Sequence, residues 1–122
     1  MNKRDPKLTA LLFNECINNQ DIKRLTSLMS DDHVFIDRHG DCYGDMVKGW
    51  MEFFDNYSTY KNIFTRIESQ DNLVILIGYA KWSKDSLEED HAIWTATIEN
   101  DLVTKWQIYE DTEKNRKKLN IF

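Results

Sequence analysis

Cysteine, proline and basic charge are all scarce in this chain, and each shortage removes a class of function. Cys16 and Cys42 are the only thiols. They sit at no metal-ligand spacing and build neither a disulfide framework nor a zinc motif, which reads as a reducing, cytoplasmic setting. One proline and four glycines leave no linker between domains. Lys and Arg number 16 against 21 Asp and Glu, a net charge of −5. Nucleic-acid binders concentrate cations on one face, so a phosphate-neutralising surface is not expected. No long hydrophobic run is present either. The longest mainly apolar stretch, residues 73–80, is far short of the roughly 20 residues that span a bilayer. The start, Met1 to Pro6, lacks the apolar run of a signal peptide, so a soluble chain away from membranes is expected.

Motifs for cofactors and metals are missing as well. Glycine-rich phosphate loops, nucleophile elbows and Cys/His pairs do not occur, and no cofactor is expected. His33, His39 and His91 stand at neither i, i+4 nor H-x-H spacing, which argues against a metal site. The acidic run Glu88-Glu89-Asp90 and the basic run Arg116-Lys117-Lys118 read as solvated surface.

What is present describes one folded domain over residues 1–122. Hydrophobic residues make up 41% and charged residues 30%, close to globular averages, and the length suits a single core. Asp5-Pro6 is a helix start, with Asp as cap and Pro at the first helical position. Leu8, Leu11, Leu12, Phe13, Cys16 and Ile17 follow at helical spacing. Asp21 caps a second short helix carrying Ile22, Leu25, Leu28 and Met29, and Ser30-Asp31-Asp32 reads as a turn before a strand at residues 34–36. A polar loop over residues 37–44 precedes a third helix with Met46, Val47, Trp50, Phe53, Phe54 and Tyr57 on one face. From Tyr60 the period changes to two, giving strands at residues 60–69, 73–83, 91–99 and 102–110. Helices gathered on one face of a largely antiparallel sheet define an α+β layer architecture.

Three local signatures extend this pattern. Asn18-Asn19-Gln20-Asp21-Ile22 joins the first helices, Asp31 to Asp37 runs into the first strand, and residues 94–111 form strand, turn and strand ending in Tyr109-Glu110-Asp111-Thr112. With the element order, they make the sequence resemble the NTF2-like superfamily, which includes ketosteroid isomerase, scytalone dehydratase and the polyketide cyclase SnoaL. The resemblance implies a cystatin-like cone: three helices in the N-terminal half packed on a curved mixed or antiparallel sheet, with an internal pocket. That fold serves many functions, so function has to be argued from the site.

Strand alternation assigns the faces. Leu76, Gly78, Ala80 and Trp82 point inward on one strand, Ala92, Trp94, Ala96 and Ile98 on the next, and Trp106, Ile108 and Glu110 on the last. A slip of one residue would exchange the faces. The outward row then contains Ile75, Ile77 and Tyr79, with Ile93, Thr95 and Thr97 beside it. An apolar row on an outer face predicts a homodimer through that face.

Asp37 ends the first strand, where the resemblance places the general-base aspartate of ketosteroid isomerase. In an apolar pocket its pKa would rise by desolvation. It equally fits as the acceptor for a turn through Arg38-His39-Gly40. The isomerase comparison also implies a tyrosine and a protonated aspartate as oxyanion donors, and Phe13 and Trp94 occupy those positions. Glu110 or His39 is the expected proton partner, and Asp111 the expected cap of a final turn. Trp50, Phe54, Tyr57, Trp94 and Trp106 are expected to wall a pocket for a small planar or cyclic ligand, or alternatively to fill the core. Two functions remain open: cofactor-independent acid–base catalysis of the isomerase, dehydratase or cyclase type, or a dimeric ligand-binding or scaffold module without activity.

Overall fold

The computed structural model describes residues 4–85 and 87–121. Met1 to Lys3, the start of the segment read for a leader, lie outside them, as do Ser86 of the expected 84–90 connection and Phe122. Among the described residues, four helices and six strands follow in the order α1 (Pro6–Asn19), α2 (Ile22–Ser27), β1 (Met29–Ile36), β2 (Cys42–Tyr43), α3 (Met46–Asn56), β3 (Lys61–Gln70), β4 (Leu73–Lys81), β5 (Asp90–Glu99), β6 (Leu102–Glu110) and α4 (Glu113–Lys118). None of these helices is long and apolar enough to cross a membrane.

The helix starts obey local chemistry. The Asp5 carboxylate accepts from the Lys7 amide at 3.0 Å, and that of Asp21 from the Arg24 amide at 3.1 Å. Between them Gln20 takes a left-handed φ of 55° and closes α1. The second helix is shorter than its sequence suggests. Leu28 ends it instead of continuing it, because the Leu28 carbonyl accepts the Val103 amide at 2.7 Å and draws the chain into the sheet. Residues 30–32, expected as a turn, are therefore part of β1, which pairs in parallel with β6 across a register shift between Met29 and Val34.

The strands form one curved mixed sheet in the order β2-β1-β6-β5-β4-β3. The polar loop expected after β1 contains β2, which turns back so that Phe35 faces Tyr43. Tight two-residue turns join β3 to β4 and β5 to β6. Asp71, Asn100 and Asp101 supply the positive φ they need, a conformation Asn and Asp tolerate better than most residues. Where β3 bulges between Phe64 and Arg66, Gly78 of β4 packs directly beneath it. A Cβ at Gly78 would overlap the Ile63 carbonyl and lie 2.8 Å from Phe64 Cα.

The two faces alternate as the spacing predicts. Leu76, Ala80, Ala92, Trp94, Ala96, Ile98 and Trp106 share one buried cluster with Phe13 and Ile17 of α1, Leu25 of α2, and Trp50 and Phe54 of α3. Ile75, Ile77 and Ile93 form a second cluster on the outer face. Those three isoleucines are not bare in the single chain. The chain end folds over them, and Leu119 and Ile121 complete the cluster. Each such buried aliphatic side chain contributes about 1.5–3 kcal/mol. The covering segment is held at several points. Asp111 takes a bidentate pair from Arg116 at 2.7 and 2.9 Å, and Gln70 Nε2 donates to the Leu119 carbonyl at 3.1 Å. Thr112, not Asp111 as expected, caps α4 by accepting from the Asn115 amide at 3.1 Å, because Asp111 is occupied by Arg116. The expected homodimer started from an uncovered apolar row, and this chain covers the row itself.

Candidate functional site

A cavity of about 490 Å³ opens between the concave sheet face and α3. Its deep wall is Trp94 of β5 and Trp106 and Ile108 of β6, and the two tryptophans are each 1% exposed. Met46, Gly49, Trp50 and Phe53 of α3 form the opposite wall, with Phe35 of β1 beside them. Trp50 is fixed by rings on several sides: Phe53 and Phe54 at 5.8 Å, Phe35 at 5.9 Å and Phe13 at 6.2 Å. Edge-on and tilted contacts of this kind suit the ring quadrupoles. Tyr60, Asn62 and Trp82 close the side nearest β3 and β4.

Asparagines position that last side. Asn14 and Asn18 stand at i, i+4 on α1, on one helical face. Asn18 Oδ1 accepts from the Asn62 amide at 2.8 Å, and Asn18 Nδ2 donates to the Asn62 carbonyl at 2.9 Å. Asn62 Nδ2 donates to Asn14 Oδ1 at 3.1 Å. Lys61 Nζ also donates to the Asn18 carbonyl. Paired with β4 on one side, the start of β3 is thus pinned on its free edge to the helix by polar bonds.

The mouth is built by the turn after β1. Asp37 lines it, but not as a desolvated base. One carboxylate oxygen accepts the His39 and Asp41 amides at 2.9 and 3.0 Å, and the other accepts the Tyr43 hydroxyl at 3.1 Å. Partial desolvation pushes its pKa up, yet these hydrogen bonds, helped by His39, outweigh that push and leave it below the ordinary value. The direction is opposite to the one the sequence predicts, and the turn-acceptor reading of Asp37 is realised. Gly40 completes the turn at a φ of 86°. His39 is exposed and also lines the mouth.

Across the mouth, Arg38 reaches Asp90 at the start of β5 in a two-point pair of 3.2 and 2.9 Å. The Trp82 indole N–H donates to the same carboxylate at 2.9 Å. Tyr60, 5% exposed, lies beside this group. Burial first, and the Asp90 charge second, hold its hydroxyl far above the ordinary tyrosine range, so it stays a neutral donor.

Asp37, His39, Trp50, Trp94 and Trp106 line one cavity. Phe54, Tyr57 and Glu110 do not line it. Phe54 is 8% exposed and packs behind Trp50 as core. Tyr57 packs outside against Phe53 and Trp82 at 5.1 Å. Glu110 has the inward parity of Trp106 and Ile108, but it is the last residue of β6 and its side chain is exposed. The sequence reading missed Arg38, Tyr60 and Asn62. Asn14 and Asn18, set beside Phe13 and Ile17 in an apolar stripe, were the available signal for a polar tether. Among the described residues, no group of His, Cys, Asp or Glu is gathered closely enough to hold a metal ion.

Sheet order, helix layer and cavity together define an NTF2-like, cystatin-like α+β cone. Solved structures with this fold include an uncharacterised cystatin-fold protein from Novosphingobium aromaticivorans, with a TM-score of 0.76 and 16% identity over 87% of this chain and 98% of that one. A protein from Shewanella putrefaciens assigned as a SnoaL-like polyketide cyclase gives 0.74 and 14% over 97% and 87%. An LEH-like epoxide hydrolase of M. tuberculosis gives 0.75 and 13% over 87% and 82%. No protein-family model and no curated relative matches the sequence.

Proposed function

We propose that the cavity binds a small, flat or cyclic organic molecule. The observation that carries this reading is the cavity itself: about 490 Å³, walled by Phe35, Trp50, Phe53, Trp94 and Trp106, with its polar groups confined to a few positions. Volume and lining both fall in the range of small-molecule sites. Structural neighbours assigned to polyketide cyclisation and epoxide hydrolysis support a small-molecule reading at the level of fold. A thermal-shift screen of planar aromatic and polyketide-like compounds tests it. A true ligand at 100 times its Kd adds about 2.7 kcal/mol to the folded state, a shift easily measured. A screen in which no compound raises Tm would remove the proposal.

A second reading, cofactor-independent acid–base catalysis of the isomerase, dehydratase or cyclase type, is favoured by one observation. Asp37 is the carboxylate among the lining residues, with His39 beside it as a proton partner. Ionised at neutral pH, Asp37 has a lone pair to take a proton, although the bonds that hold it make it a weaker base than a desolvated carboxylate. Glu110, the other expected partner, lies away from the lining. Asp37→Asn should abolish turnover while ligand affinity and Tm change little. Unchanged turnover would exclude Asp37 as the base, and a parent chain that turns over none of the compounds it binds would belong to the non-catalytic binding or scaffold class. The two unpaired thiols, Cys16 buried and Cys42 exposed, support a reducing, cytoplasmic setting. Pairing of two copies through the outer face now rests on the resemblance alone. Light scattering decides it, a dimer giving twice the 14.6 kDa of one chain.

A further inference from the structure

The exposed members of the lining mark where the cavity opens: His39, Tyr43 and Gly44 on the turn after β1, and Trp82 just past the end of β4. The Arg38–Asp90 pair lies across this opening. Arg38 stands on the turn, and Asp90 begins β5 opposite Ala80. β6 runs between β1 and β5 in the sheet, so the pair reaches past a whole strand to join the two rims. Asp90 Oδ1 accepts from Arg38 Nη1 at 3.2 Å, and Oδ2 accepts from Arg38 Nη2 and Trp82 Nε1, each at 2.9 Å. One carboxylate thus holds both sides of the mouth. Trp82 completes its side by packing on the rings of Tyr60, Tyr57 and Phe53 at 4.8, 5.1 and 6.0 Å.

Two properties separate this pair from a fastening of the fold. Its side chains are 26% and 32% exposed, and at such exposure water and salt screen the attraction, so an ion pair adds little to stability. Nor do the elements that carry it depend on it. The turn is closed by its own bonds, from the Asp37 amide to the Asp41 carbonyl at 3.0 Å and from the Gly40 amide to the Asp37 carbonyl at 2.9 Å. β5 is held along its length by β4 and β6. Arg38 can therefore swing into water without unfolding either rim. The two-point geometry makes the contact specific, and its exposure makes it easy to break.

Resting on the binding reading above, we propose that Arg38 and Asp90 form a latch across the cavity mouth, which parts to let a molecule pass and closes again behind it. Trp82 is the side of the mouth that Asp90 keeps in place. The pair is made whether the cavity is empty or filled, so the latch sets how fast a molecule exchanges and not how tightly it is held.

The test is stopped-flow mixing of the full chain with N-phenyl-1-naphthylamine, a neutral ring compound whose fluorescence rises in apolar surroundings. Asp90→Asn removes the charge that holds Arg38 and keeps an oxygen for the Trp82 N–H. In this variant the association and dissociation rates should both rise about threefold, leaving Kd where it was. The unaltered protein supplies a second readout that needs no variant to fold. Raising NaCl from about 0.01 to about 1 M shortens the Debye length from about 30 to about 3 Å, and a neutral probe brings no charge of its own to screen. The parent's two rates should then rise together by about twofold, and those of Asp90→Asn should not respond. Parent rates that ignore salt would overturn the latch and leave the binding proposal standing. A rise in dissociation alone in Asp90→Asn would overturn it too, since Asp90 would then help to hold the bound molecule instead of governing its passage. A parent that gives no fluorescence rise would count against the latch and the binding proposal together.

Discussion

The same strands present two faces that are finished in opposite ways. On the outer face of β4 and β5, Ile75, Ile77 and Ile93 are sealed by Leu119 and Ile121 from the chain's own end. On the inner face, alanines at positions 80, 92 and 96 alternate with large rings, and the helices leave a cavity between Trp50, Trp94 and Trp106. Aliphatic side chains of one size closed by a short helix give a dry, filled layer. Rigid rings set against small residues on a curved sheet do not tile completely. The difference teaches that the outer face is packed closed while the inner face keeps open space.

The outer face should be the intolerant one. Ile75→Lys would bury an unpaired ammonium at a site with no exposure, and about 4 kcal/mol of stability should be lost in chemical denaturation. A variant as stable as the parent would show that the chain end does not cover the row. Next in size, Ile121→Ala removes a side chain that is 2% exposed at the end of that cover, and roughly 2–3 kcal/mol is expected. Greater self-association of this variant at unchanged stability would instead make the outer face an interface.

A smaller effect belongs to the inner side. His33 on β1 packs against Phe13, and its Nδ1 donates to the Val103 carbonyl at 2.6 Å. Burial, the largest influence, lowers its pKa despite that bond and the nearby Asp32. The unfolded chain therefore takes up a proton before the folded one does. Stability should be flat above the unfolded value of about 6.5 and decline as pH falls from there to the folded pKa. Denaturation midpoints across that window should show the decline, and His33→Gln should remove it. A parent curve that rises on acidification would contradict the neutral, buried histidine.

Much of this fold could be read in advance because its signals are local. Asp5-Pro6, Asp21 and the period change at Tyr60 each act through a few neighbouring residues, and alternation sorted Ile75 from Leu76 correctly. What could not be read depends on distant partners. Leu28 leaves its helix because Val103 binds its carbonyl. Asp111 does not cap α4 because Arg116 takes its carboxylate. Parity sent Glu110 inward, but only the length of β6 puts it beyond the cavity. At the site, Asp37, His39, Trp50, Trp94 and Trp106, singled out from aromatic content and strand position, line one cavity, whereas Phe54, Tyr57 and Glu110 do not. The pKa of Asp37 was not legible, since its direction is set by amides and a hydroxyl that the turn brings around.

The central claim is that the inner cavity is where a ligand sits, and filling it tests that claim most directly. Gly49 lines the cavity from within α3, and a Cβ there would meet only the flexible end of Met46, at 3.0 Å. Gly49→Leu should raise intrinsic stability, by about 1 kcal/mol from helix propensity alone, while occupying the ligand's space. The measurement is the Tm increment that a screening hit gives with parent and variant. The account predicts a clear increment for the parent and none for Gly49→Leu. An equal increment in both would contradict it, since the compound would then be binding somewhere other than this cavity.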